Sequence, residues 1–188
     1  MKLIPKYFFV YKALNSLFLG LSIGSIFTIY APLKPEVYSI GGVVLALGTL
    51  LIANLYSKIL NIEWFFKISL FVESVLFFMI IIFLFFPYDY MLALLIYAGY
   101  QMVFTFGSYL FRAETLFLNE TTLLTKVDTY KQIGYIVGMG LSYLFYKMID
   151  SKNNFEQVYE LHYILLVVQI FIIYFVFKSF KKRDKISL

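Results

Sequence analysis

The chain has 188 residues, 62% of them apolar and 21% aromatic against 14% charged, with a formal net charge of +5. A water-soluble domain of this size cannot hide so much apolar surface, which leaves an all-α polytopic membrane protein. The absence of cysteine excludes disulfides and thiolate chemistry, and a single histidine excludes two-histidine metal sites, so neither a metal nor a cofactor is expected.

A hydrocarbon core of about 30 Å needs about 20 helical residues. The apolar runs predict six transmembrane helices in one domain, near 7–30, 37–57, 64–86, 91–111, 132–148 and 159–178. The first run has the basic flank of a signal peptide but continues to Tyr30 without a small-residue cleavage site, and so reads as a retained helix. It carries Ser16, Gly20, Gly24 and Thr28 at a spacing of four, a face on which another helix can approach closely. Lys12 and Asn15 fall together on one face, with Ser22 not far around the wheel. Lys12, about a turn inside the end, either snorkels to the headgroups or meets a solute.

In the second run Gly42 and Ala46 share a face. The third, FVESVLFFMIIIFLFF, is bulky and places Glu73 near its centre. An ionised carboxylate there costs about 3 kcal/mol, so Glu73 is protonated or partnered, and it suits either proton exchange or a hydrogen bond to a neighbouring helix. The fourth run contains YAGYQMVFTFGSYLFRAET, in which Gln101, Thr105, Ser108 and Arg112 form one polar stripe with Tyr97 beside it. Gln101 lies too deep to snorkel and reads as a pathway residue or an interhelical contact. Arg112, at the end of the stripe, can hold an anion or reach the headgroups.

The link LFLNETTLLTKV, with Leu116, Leu123, Leu124 and Val127 among polar residues, predicts an interfacial helix along the inner leaflet, and its Asn-Glu-Thr is a chance glycosylation match. The fifth run repeats the small-residue spacing with Gly134, Gly138 and Ser142. His162 opens the sixth beside Glu156 and Glu160, in a spacing that reads as a solvated helix start rather than a metal site, and Gln169 reads as an interhelical contact.

Six spans put both ends of the chain on one side. Of the sixteen Lys and Arg only Lys34, Lys147 and Lys152 then fall on the other, which predicts cytoplasmic termini in a cell (inner) membrane. The closing cluster Lys181, Lys182 and Arg183 reads as an anionic-lipid anchor or a stop-transfer flank, and no nucleic-acid partner is expected.

In this order of features the chain resembles one half of a major facilitator superfamily transporter, over roughly residues 7–148. IYAPLKPEVYSIGGVVLALGTLLIANLYSKIL is similar to that family's first outer loop and second helix. The polar fourth helix, the amphipathic link LFLNETTLLTKVDTYKQ and the glycine-rich fifth helix GYIVGMGLSYLFYK are similar to their counterparts in the family. The resemblance implies a six-helix bundle whose first and fourth helices face the pathway, whose second and fifth contact the other half, and whose third and sixth lie outermost. The charged signature between second and third helices is replaced by NLYSKILNIEWFFK.

Six helices make one wall of an alternating-access pathway, and an identical copy is expected to supply the other. Gly42, Ala46, Gly134, Gly138 and Ser142 are then expected at the homodimer interface. No HExxH, phosphate-binding glycine loop or serine elbow is present, so catalysis is not expected. The function expected is transport of a small polar or anionic solute, with Lys12, Asn15, Tyr97, Gln101, Thr105, Ser108 and Arg112 as solute-binding residues and Glu73 as a proton-coupling group. The alternatives are a substrate-binding membrane subunit similar to those of energy-coupling-factor transporters, or a membrane assembly protein.

Overall fold

The computed structural model describes residues 1–86 and 88–182; Arg183 of the basic cluster lies outside the described residues. The order is β1 (Lys2–Leu3), α1 (Pro5–Tyr30), α2 (Pro35–Asn54), α3 (Tyr56–Ile59), α4 (Ile62–Phe85), α5 (Tyr90–Thr105), α6 (Gly107–Leu118), α7 (Thr121–Met148), α8 (Asn154–Ser179) and β2 (Phe180–Lys181). The helix starts carry local signals. Pro5 and Pro35 open α1 and α2, where a missing N–H costs nothing. Asn61, Asp89 and Asn153 cap α4, α5 and α8 by accepting backbone N–H groups from the first turn.

Five helical stretches are long and apolar enough to cross a membrane: Pro5–Tyr30, Pro35–Asn54, Ile62–Phe85, Tyr90–Leu118, which joins α5 to α6, and Asn154–Ser179. The chain is thus an all-α protein of multi-pass character. The expected run at 132–148 is the second part of the 28-residue α7. Its small and polar residues, which lower its apolarity, are the ones it uses for packing.

The predicted interfacial helix does not form as a separate element. Asn119 adopts the left-handed conformation (φ 43°) and ends α6, and α7 starts two residues later. Most apolar positions of that link turn to the protein's own core: Val127 is fully buried, and Leu123 and Leu124 pack against the same cluster, while Leu116 stays exposed. The amphipathic pattern is real, but an internal apolar surface satisfies it in place of lipid.

α1 packs most extensively on α7 and then on α8, α4 packs on α8 and α5, and α2 packs on α5, whereas α1 and α5 scarcely touch. The α1–α7 contact is parallel and in register, because Gly134 lies on Ala13, Gly138 on Leu17, and Ser142 donates from Oγ to the Leu21 carbonyl at 3.1 Å. A side chain at Gly134 or Gly138 would overlap an α1 carbonyl oxygen. From α1, Gly20 in turn lies on the α7 backbone at Tyr135 and Met139, so the two small-residue faces seen in the sequence meet there. This corrects the expectation that Gly134, Gly138 and Ser142 form an interface with another copy: all three are buried against α1. Gly42 has open space around it, and Ala46 is exposed.

The two ends of the described chain meet. β1 and β2 pair antiparallel, Lys2 with Lys181 and Leu3 with Phe180, and the Ile4 N–H donates to the Ser179 carbonyl at 2.8 Å.

Because the groups facing Gly138 are backbone, which cannot swing aside, Gly138→Ala should cost about 3 kcal/mol, the upper end for overpacking. Gly140→Ala, with nothing within 4 Å, should stay within about 0.5 kcal/mol. Unfolding of both variants in the same detergent checks the contrast.

Candidate functional site

Fixing one face of α1 on α7 turns Tyr11, Asn15, Phe18 and Ser22 the other way, toward α4 and α5. There the structure brings together the two anomalies that the sequence carries on separate helices. Glu73, 1% exposed, accepts from Tyr11 Oη at 2.8 Å and from Asn15 Nδ2 at 2.9 Å on Oε1, and from Gln169 Nε2 at 2.9 Å on Oε2. Three helices, α1, α4 and α8, thereby meet on one carboxyl group. All three partners are neutral, and their hydrogen bonds offset part of the cost of placing that group at depth.

Gln169 Nε2 also donates to the backbone carbonyl of Glu73 at 2.9 Å. A carbonyl oxygen only accepts, so this second bond fixes which end of the amide faces Glu73. Gln169 Oε1 is left buried without a protein donor.

Glu73 lies on the wall of a cavity of about 210 Å³ between α1, α4, α5 and α6. Lys12, Asn15 and Ser22 line it from α1, Val72 and Leu76 from α4, and Tyr100, Phe104 and Leu110 from the fourth apolar stretch. The cavity exists because α1 and α5 diverge. Toward the end of α5 and α6 opposite the link, Tyr30 packs edge-on against Tyr97 and Tyr100 with centroids 5.3 and 6.4 Å apart.

Lys12 does not snorkel. Its Nζ lies 2.7 Å from Glu114 Oε2, the other oxygen of Glu114 pairs with Lys131, and Lys131 also reaches Asp128 at 3.4 Å. Glu114 is 4% exposed, and the triad joins α1, α6 and α7. Apolar run length alone puts Glu114 in a polar link and overlooks it. The available signal is the pair of base and acid flanking an apolar residue, Arg112 and Glu114, where the helix continues beyond the expected end at 111.

The polar stripe of the fourth helix is divided and does not face the cavity. Tyr97, Gln101 and Thr105 line a groove of about 520 Å³ against α2, where Tyr97 packs on Gly41 and Thr105 on Gly48. Thr105 Oγ1 donates back to the Gln101 carbonyl at 2.9 Å, while Gln101 Oε1 is buried without a partner. Ser108 and Arg112 are exposed on a recess with Gly107 and Phe111, and the Arg112 guanidinium stands over the Tyr56 ring at 5.9 Å. The grouping of all seven expected solute-binding residues at one place is therefore corrected: Lys12 and Asn15 line the cavity, and the other five lie elsewhere. Phe106 interrupts the helix between the two parts of the stripe, which is why one wheel does not describe both.

His162 is also not solvated. It is 5% exposed, with Nδ1 2.7 Å from the Val158 carbonyl and its ring 4.0 Å from that of Phe83, because the end of α4 folds over the start of α8. Among the described residues no cluster of His, Asp and Glu suits a metal.

Removing Glu114 strands Lys12 and leaves Lys131 only the exposed Asp128, whereas removing Lys12 leaves the Glu114–Lys131 pair whole. Glu114→Gln should therefore destabilise by about 3 kcal/mol and Lys12→Met by clearly less. Parallel denaturation in detergent, with the double variant to isolate the coupling, checks the ranking.

Comparison with known proteins gives no match to a protein family, to a curated sequence or to a solved structure.

Proposed function

We propose that this chain is a membrane transporter subunit: one wall of an alternating-access pathway between its first and fourth spans, completed by a second copy, with protonation of Glu73 coupled to solute movement. The observation that carries the reading is the cavity between α1, α4, α5 and α6, with a buried carboxyl group on its wall. Polar groups are costly at that depth and are kept where they serve a path or a relay.

Two observations support six crossings. The β1–β2 pairing brings both ends of the described chain together, which favours an even number of crossings. In addition, α7 runs parallel to α1 and in register with it, which supports counting it as a span beside the first apolar helix. With α7 counted as the fifth span, exchanging the first three spans for the last three maps the main contacts onto one another. The α1–α7 contact becomes α5–α2, α1–α8 becomes α5–α4, and α4–α8 is unchanged. Both α1–α7 and α2–α5 are parallel. First and fourth spans run in opposite directions, so this is the pattern of an inverted repeat, whose binding sites lie near the midplane at the repeat interface. The basic residues favour cytoplasmic ends in this reading.

The second wall meets the exposed faces of α2 and α7, where Gly42, Ala46 and Gly140 leave room for close approach. Gly140 takes the place of the inward-turned Gly134 and Gly138.

The chain has no cysteine, so introduced pairs report cleanly. Oxidation of Ala46→Cys together with Gly140→Cys in native membranes should give a band of twice the monomer mass, while Phe78→Cys on the exposed face of α4 should not. No cross-link from the first pair removes the twofold arrangement. In proteoliposomes under an imposed pH gradient, solute-dependent dissipation read by a trapped pH dye should be lost in Glu73→Gln. Equal dissipation by wild type and variant removes Glu73 from the coupling.

A further inference from the structure

Transport through this cavity leaves the solute's charge open, and the cavity wall decides it. Two charged side chains line the cavity, Lys12 and Glu73. The lysine is neutralised at 2.7 Å by Glu114, whereas the glutamate is held by Tyr11, Asn15 and Gln169, which carry no charge. Hydrogen bonds from neutral groups spread a carboxylate's charge but leave its sign to act on whatever enters, and the low polarity of the surroundings strengthens that action. An anion entering here would approach Glu73 and would have to draw Lys12 off its partner.

The remainder of the wall is apolar and aromatic. Phe18, Tyr100 and Phe104 offer ring surface, and Asn15 and Ser22 supply a few polar atoms. Aromatic faces attract cations, more strongly when water is excluded, and a volume of about 210 Å³ suits a compact body. We propose, on the reading of this cavity as the solute site, that it takes a small organic cation: an ammonium group directed at Glu73 and an apolar or aromatic body against Tyr100 and Phe104. This replaces the polar or anionic solute expected from the sequence, an expectation resting on Arg112 and Lys12. The first lies outside the cavity and the second is already paired.

The test is equilibrium binding to the purified full chain in detergent, by titration calorimetry, with benzyltrimethylammonium and benzenesulfonate as probes of similar size and opposite charge. The cation should bind about tenfold or more tightly than the anion. Glu73→Gln should weaken the cation by about tenfold or more. Tyr100→Leu, which keeps every hydrogen bond of Glu73, should weaken it by about tenfold and serves if Glu73→Gln fails to fold. Preference for the sulfonate, binding indifferent to charge, or cation binding untouched by Tyr100→Leu overturns the proposal. A failure of cation binding alongside Glu73-dependent dissipation of a pH gradient sinks the charge class alone. Absence of any Glu73-dependent dissipation for solutes of either charge sinks the transport reading on which it rests.

Discussion

The backbone contact between α1 and α7 is the constraint that sets the remaining geometry. Gly134 and Gly138 let the α7 backbone lie on the carbonyl groups of Ala13 and Leu17, and a helix held so closely along one face cannot rotate. Residues two positions away, Tyr11 and Asn15, are about 160° around the helix and must look toward α4. There they meet Glu73. In lipid no hydrophobic force drives helices together, so packing of this kind, with a few interhelical hydrogen bonds, has to set both position and azimuth. The small residues of α7 thus act on the cavity without lining it.

The same logic accounts for what is legible in the sequence and what is not. Apolar run length locates the helices because the bilayer imposes it, and the two small-residue faces are visible because close approach demands them. Glu73 stands out because an isolated carboxyl is costly at mid-span. A helical wheel, however, gives angles within one helix and nothing about which neighbour each angle faces. The stripe from Gln101 to Arg112 is correctly grouped on its own helix, yet its upper part faces α2 and its lower part is exposed beyond the break at Phe106. Lys12 looks like a snorkelling residue in the sequence because its partner, Glu114, lies 102 positions away on a helix that continues past its expected end. The link departs from expectation for a related reason, since amphipathicity states that one face is apolar without stating whether lipid or protein covers it.

Lys12 and Lys131 carry two positive charges, matched by Glu114 and Asp128. Glu73 is the further carboxyl, on the cavity wall that it shares with Lys12, and none of its hydrogen-bond partners carries a charge. Protonating Glu73 therefore changes the charge balance at the cavity as well as a local hydrogen bond. A cation beside Glu73 would restore that group's own balance in the ionised state.

This charge arrangement falls on a weak seam in the packing. α1 packs tightly on α7 and α8, and α2 packs on α5, but α1 and α5 scarcely touch. Besides α4, which packs on both α8 and α5, side-chain groups bridge the two blocks: Glu114 on α6 joins Lys12 and Lys131 at one end, and Tyr30 of α1 closes on Tyr97 and Tyr100 of α5 at the other. Between those bridges lies the cavity with Glu73 behind it. Edge-on ring contacts are worth far less than a packed helix interface and can break singly, so at this seam a molecule entering the cavity would act on both blocks at once.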